Sequence, residues 1–398
     1  MNKESLLEEL LNIQSGYAFK SKLYGESGHF LVRIRNVQDG FLCLDKPKYV
    51  VLDDKTKRFA LDEGDLLTSL TGNIGRVARV EKAHLPAALN QRVARLTVID
   101  PSTLSADYLY HFLSSDLFKN ELAATGHGAA QQNVSPAAIG KLIIPLPPLP
   151  EQKRIVAILD EAFAGISKAV ANAEKNLANA HELLESYLCS VFIRKGEGWK
   201  LKILGEACDL FQGLAINKGT KHLLVDHSSL PLLRIKDLRN GTQEQFVCEE
   251  GYPPNALVAE DDILYTRTGQ IGLVFRGRRG VLHNNCFKIV PREGLRRTFL
   301  FWWLQNRDFK REIVRLASRA AQPDITHKIF KAQPILIPPL STQVSIAESI
   351  EKLYSKTRHL ESIYQQKLSA LAELKQSILQ KAFTGELKKD TVKKQLAN

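Results

Sequence analysis

Two short polar loops carry the residue types best suited to chemistry with a polyanion. One runs Thr68, Ser69, Leu70, Thr71, Gly72, Asn73, Ile74, Gly75, Arg76, and the other Tyr265, Thr266, Arg267, Thr268, Gly269, Gln270, Ile271, Gly272. Glycine lets the backbone turn sharply and leaves main-chain N–H groups free, while hydroxyl, amide and guanidinium groups supply further donors. Such donors bind phosphate oxygens, and Arg, Asn and Gln also meet guanine or adenine edges two bonds at a time in the major groove. The candidates for DNA contact are therefore Ser69, Thr71, Gly72, Asn73 and Arg76 in the first loop and Arg267, Thr268, Gly269 and Gln270 in the second. A further loop pair, 126–133 and 318–324, has the same character and adds Gln131, Gln132, Arg319 and Gln322. Taken singly, either loop is better explained as a hairpin turn; recurrence is what favours binding.

Other chemistries fail on spacing. Gly213 to Thr220 has Lys218 before Gly219, whereas a phosphate-cradling P-loop needs glycine before lysine. Tyr252, Pro253, Pro254 and Asn255 stand in the wrong order for an adenine methyltransferase motif, and Pro323-Asp324 lacks the Glu-x-Lys of a nuclease. The ten histidines form neither HExxH nor a Ser or Cys relay. The five cysteines include no CxxC pair, so structural zinc and a disulfide framework are not expected and a reducing cytoplasm fits.

The elements that must position these loops come twice. Leu31, Arg33, Ile34 and Gly40 answer Leu232, Arg234, Ile235 and Gly241, and Pro147-Pro148-Leu149 with Gln152 returns as Pro338-Pro339-Leu340 with Gln343. The offset is 197 at Gly16/Gly213, 201 at Arg33/Arg234, 197 at Gly72/Gly269, and then a constant 191 from Tyr108/Phe299 to Phe192/Phe383. The leading part of each half has gained and lost loop residues, while the trailing part has kept one length, as expected of a spacer. Short apolar runs bounded by Gly, Asn and Asp, followed by helical stretches, give an α+β reading: two similar α/β domains over 1–150 and 197–340.

After each proline pair begins a long helical pattern, over 151–196 and 341–388, with a basic tail at 389–398. In the first helix apolar residues recur at Ile155, Leu159, Ile166, Leu177 and Leu184 among alanines, with one extra four-residue step from Ala173 to Leu177. In the second, Ile346, Ile350, Leu353, Thr357, Leu360, Tyr364, Lys367, Leu371, Leu374 and Ile378 alternate steps of four and three throughout. Small residues on one helix face large ones on the other, so the two are expected to pair antiparallel, with a pseudo-twofold axis between the halves. Roughly 43 helical residues span about 65 Å. The competing arrangement packs each helix back on its own domain.

Lys and Arg exceed Asp and Glu, giving a net charge of +12 and a pI near 9.3, which suits a polyanionic partner. The first residues are amphipathic and acidic, unlike a signal peptide, and no apolar run reaches the length needed to cross a bilayer.

Variable domains, each followed by PPL-x-x-Q and a long helix, all arranged twice, resemble the specificity subunit of Type I restriction-modification enzymes. The resemblance covers nearly the whole chain; Ser341-Thr342 in place of Pro150-Glu151 is its one departure. It implies two target recognition domains that read the halves of a split, asymmetric double-stranded DNA target, with the helices as a ruler between them. It also implies docking of two methyltransferase subunits that bring S-adenosylmethionine, joined by restriction/translocase subunits using ATP and Mg. The chain itself is then a non-catalytic, cofactor-free component in a prokaryotic cytoplasm, with no membrane partner. The other reading is a coiled-coil interaction scaffold without DNA recognition; a steep salt dependence of DNA binding separates the two.

Overall fold

The computed structural model of the protein describes residues 4–125, 133–193, 196–318 and 323–387. The chain divides into two compact units, 1–174 with 366–398, and 175–365. Gln131, Gln132, Arg319, Gln322 and the 389–398 tail lie outside the described residues.

In the first unit a four-stranded antiparallel sheet runs in the order Leu11–Ser15, Val93–Val98, Leu66–Ser69, Val77–Arg79. A second sheet orders Tyr49–Val50, His29–Val32, Ala87–Leu89 and Ala60–Leu61, with the middle pair parallel. The second unit repeats the plan. Cys208–Gln212, Cys286–Pro291, Ile263–Thr266 and Val274–Phe275 form the antiparallel sheet, and Leu232–Leu233 lies parallel to Gly280–Leu282 beside Leu257–Val258. The strands Leu66–Ser69 and Ile263–Thr266 are buried at every position, the apolar residues at their starts giving way to the buried hydroxyls of Ser69 and Thr266 at their ends. Gly16 and Gly213 pass so close to the neighbouring strand that a Cβ on either would stand 2.3 Å from the carbonyl oxygen of Leu89 or Leu282. Only glycine fits there.

Each domain closes on itself before its helix departs: Glu4–Leu6 pairs with Ile143–Pro145, and Lys200–Ile203 with Pro334–Ile337. The prolines that follow cannot continue a strand ladder or sit inside a helix, and the long helices begin directly after them, at Leu149–Ile193 and Leu340–Phe383. Among the described residues no helix is long and apolar enough to cross a membrane.

Each long helix gives part of its length to each unit. In the first unit Ile155, Leu159, Ala162 and Ile166 share a core with Ile378, Leu379, Ala382 and Phe383 of the second helix and with Tyr108, Phe112 and Phe118 of the domain. In the second unit Leu188 and Phe192 share a core with Ile350 and with Phe299, Trp302 and Phe330. Both arrangements weighed from the sequence therefore hold at once within each unit: the helix halves pack together and on a domain. The seal is reciprocal. Phe383 stacks edge-on against Tyr108 and Phe112 at 5.2 and 5.3 Å, and Phe192 meets Phe299 at 5.7 Å. Aromatic pairs of this geometry add about 0.5–1.5 kcal/mol beyond their buried area.

One expectation about the seam is corrected. The buried and half-buried positions of the second helix run Ile350, Leu353, Thr357, Glu361, Tyr364, Leu368 and Leu371, which leaves Leu360 38 % exposed and Lys367 outside. The first helix shows the same steps 191 residues earlier, through Ala162, Ile166, Val170, Ala173 and Leu177. A straight helix of 3.6 residues per turn drifts off a strict seven-residue repeat, and two successive steps of four restore it. The step puts a carboxylate in the seam. Glu361 is met there by His181 at 2.8 Å and Arg358 at 2.8 Å.

Candidate nucleic-acid interface

The two polar loops are built alike, atom for atom. Each leaves the buried central strand at a hydroxyl residue, Ser69 or Thr266, whose hydroxyl donates to the carbonyl of Asn73 or Gln270 and accepts from the backbone N–H of Arg76 at 3.0 Å or Leu273 at 2.9 Å. The same residue's carbonyl accepts from Gly75 N–H or Gly272 N–H, both at 3.1 Å. The glycines sit in the left-handed region, at φ +69° and +76° in the first loop and +67° and +85° in the second, which residues with a Cβ rarely adopt. One hydroxyl thus fixes an eight-residue turn, and the tips, Gly72-Asn73 and Gly269-Gln270, remain exposed.

The edge of the other loop pair docks beside each turn. Thr71 bridges to Asn133, and Thr268 to Asp324. In the second copy Arg267 is committed there: its guanidinium clamps Asp324 through two bonds, donates to the Ile325 carbonyl at 3.3 Å and lies 5.4 Å above the Phe287 ring. With its side chain only 15 % exposed, Arg267 holds the two loops together. Arg76 by contrast reaches across to the preceding hairpin, where it donates to Gln38 at 2.8 Å. With the Asn73 amide turned so that its oxygen faces the guanidinium, Asn73 accepts from Arg76 at 2.7 and 3.2 Å.

Gln38 was not among the residues expected from the sequence, nor was its counterpart Arg239, which donates to Gln270 at 3.1 Å. Each copy pairs one arginine with one glutamine, in opposite order along the chain. The signal was available in the local offset of 201, from Leu31/Leu232 to Gly40/Gly241, which aligns Gln38 with Arg239. A lysine backs each loop as well. A Cβ on Gly75 would lie 3.4 Å from Lys119 and one on Gly272 3.3 Å from Lys310, and Lys119 in turn pairs with Asp39 at 2.8 Å.

What ties the domains to their helices is the glutamine of the repeated proline motif. Gln152 is fully buried; its oxygen accepts from Ser105 N–H at 2.8 Å and its amide donates to the carbonyls of Thr103 and Pro147, both at 2.9 Å. Gln343 does the same with Arg296 N–H at 2.7 Å, Gly294 at 2.8 Å and Pro338 at 2.9 Å. A side chain with one acceptor and two donors is needed to satisfy all three groups. Of the apolar helix residues expected at an interface, Ile155, Leu159, Ile166, Ile350 and Ile378 are buried. Leu177, Leu184, Ile346, Leu353, Leu371 and Leu374 are half-buried.

Comparison with known proteins agrees with this architecture. The chain is 28 % identical over 393 residues to the EcoKI specificity subunit, a Type I restriction enzyme subunit of Escherichia coli (strain K12), covering 90 % of this chain and 82 % of that protein. It is 26 % identical over 388 residues to the StySPI specificity subunit of Salmonella potsdam, with the same coverage. Among solved structures, a chain from a study of assembly and conformational transition in the type I R-M system superposes with a TM-score of 0.79 at 21 % identity, over 97 % of this chain and 98 % of that one. The HsdS subunit from Thermoanaerobacter tengcongensis gives 0.55 at 20 % identity, over 97 % of each chain. These two likenesses bear on the fold. The profile of the Type I restriction modification DNA specificity domain matches twice, over residues 2–174 and 196–369, so the chain belongs to that family and is a DNA specificity subunit of the Type I restriction-modification kind.

Proposed function

We propose that each unit reads one half of a split DNA sequence and that the two halves differ. The observation that carries this is the pair of hydroxyl-anchored loops: one backbone frame, two different donor sets. Asn73 is exposed in the first, with Arg76 and Gln38 half-buried beside it, and Gln270 and Arg239 are exposed in the second. Identical frames enter a groove in the same way, and different side chains on them meet different base edges. Arg267 then acts by position, locking its loop, and Gln131, Gln132, Arg319 and Gln322 add to the contact surface.

The two long helices serve as the spacer between half-sites, since each is one continuous helix that contributes to both units. Their outer faces, where Leu360 and Lys367 lie, dock two methyltransferase subunits. The chain contributes no catalysis and binds no cofactor of its own; S-adenosylmethionine, ATP and Mg belong to the methyltransferase and restriction/translocase subunits, in a prokaryotic cytoplasm. Selection of bound duplexes from a random pool by gel shift, with the methyltransferase present, is expected to enrich a bipartite, asymmetric motif. Uniform binding of all sequences, or enrichment of a palindrome, would sink the proposal.

A further inference from the structure

The duplication supplies an internal control for every side chain, and it singles out Arg33. Arg33 and Arg234 occupy the same place, at the end of the parallel strands His29–Val32 and Leu232–Leu233. The residue three positions on caps the following turn in both copies: Asn36 accepts from Arg33 N–H at 3.1 Å, and Asp237 from Arg234 N–H at 3.4 Å. In the second copy that cap is a carboxylate, and it neutralises its arginine. Asp237 takes the Arg234 guanidinium at 2.6 and 3.1 Å, and Glu244 adds a bond at 3.0 Å.

In the first copy the cap is a neutral amide, and among the described residues no carboxylate pairs with Arg33. Its guanidinium donates only to the Lys46 carbonyl, at 3.0 Å, and its Nε makes no bond at all. Partial burial and the neighbouring Arg35 both disfavour its charge. Lys46 presents that carbonyl from φ +48°, the one left-handed non-glycine backbone among the described residues, a conformation that costs on the order of 1 kcal/mol or more and marks sites where another interaction compensates. The segment that follows is also basic. Residues 33–48 hold four cations to two acids, whereas the matching residues 234–249 hold three cations and three acids. The patch adjoins the reading loop, since a Cβ on Gly72 would lie 3.4 Å from Ile34.

We propose that Arg33, with Lys46 and Lys48, forms a backbone-phosphate clamp present in the first unit and cancelled in the second by Asp237 and Glu244. The missing counter-ion of Arg33 is supplied by DNA. The clamp rests on the DNA-reading role proposed above, and it makes grip on the target lopsided: one half-site is held by its backbone as well as read, and the other is read with less help from phosphate.

The test is the salt dependence of binding to the selected duplex by the full-length chain with its methyltransferase. Each phosphate contact contributes about 0.9 to the slope of log affinity against log salt, so Arg33→Gln should lose about 3.5-fold less affinity than the parent between about 50 and about 200 mM salt. Sequence preference should stay as it was, and Arg33→Lys should restore the slope. Arg234→Gln should leave the slope unchanged. An unaltered slope in Arg33→Gln, or an equal flattening in Arg234→Gln, overturns the clamp while leaving the reading role intact. Parent protein without salt dependence or sequence preference overturns both. Should Arg33→Gln fold poorly, the parent protein decides the matter on duplexes carrying neutral methylphosphonates one position at a time. A strong phosphate contact flanking the half-site of the first unit, without an equivalent at the other, is expected; matching patterns at both half-sites refute the clamp.

Discussion

Replacing Gln152 by leucine removes three hydrogen bonds and little volume. Left behind are the Ser105 N–H and the carbonyls of Thr103 and Pro147, beside a side chain with no solvent exposure. A buried polar group deprived of its partner costs about 1–3 kcal/mol, so three place the loss at about 3 kcal/mol or more even with partial relaxation. For a unit of roughly 200 residues each kcal/mol lowers Tm by about 2–4 °C, which gives a drop of about 6–12 °C for the first unit's transition. Gln343→Leu should do the same to the second unit's transition, because its three bonds copy the first set. The two sites share no partner, and their effects should add within about 0.5 kcal/mol in the double variant. Scanning calorimetry of the full-length chain and the three variants measures this. A shift below about 2 °C in either single variant, equivalent to less than about 1 kcal/mol, would refute the claim that this glutamine fastens helix to domain. A large shift for one and none for the other would refute the equivalence of the copies.

Inserting about four residues after Asn176 and after Lys367, positions matched at the constant offset, adds about 6 Å to each helix and should widen the preferred gap by about two base pairs; duplex selection reads the gap, and an unchanged one discredits the ruler. Gln270→Ala should relax preference at one half-site and Asn73→Ala at the other, each by about 1–3 kcal/mol of discrimination, as judged from selected motifs; a change at both half-sites from either variant contradicts independent reading. Burial holds His111 below its ordinary 6.5, with the 2.9 Å bond to Asp160 opposing, and its buried Nδ1 has no partner to receive a proton's bond. The unfolded chain therefore protonates first as pH falls through about 6.5, so this site favours folding above that pH and loses its contribution below it. Urea midpoints at pH 7.5 and 5.5 should fall more for the parent than for His111→Gln, and equal falls count against the assignment. At the matching place in the second unit, Trp302 donates to Glu351 at 2.9 Å.

The repeat, the prolines that start each long helix and the glycines that shape each reading loop were legible in the residues themselves. These are local preferences: a Pro ring, a missing Cβ or an apolar period acts over a few neighbours whatever the rest of the chain does. The seam was legible in its first half and misplaced at Leu360 and Lys367 in the second. Glu361 gave no apolar signal there, and helical drift decided which face turned inward.

Which polar group meets which was settled only in three dimensions. Arg267, expected at the DNA interface, is paired with Asp324, 57 residues away; Gln38, not among the expected residues, accepts from Arg76. Gln152 looked like part of a motif and proves to be a three-bond clasp on residues 5, 47 and 49 positions back. Hydrogen bonds and ion pairs add little free energy in the unfolded chain, where water competes for every donor. Their partners are fixed only once apolar burial has brought distant segments together and removed that water, which is why Arg33 and Arg234, so alike in sequence, end with different charges to balance.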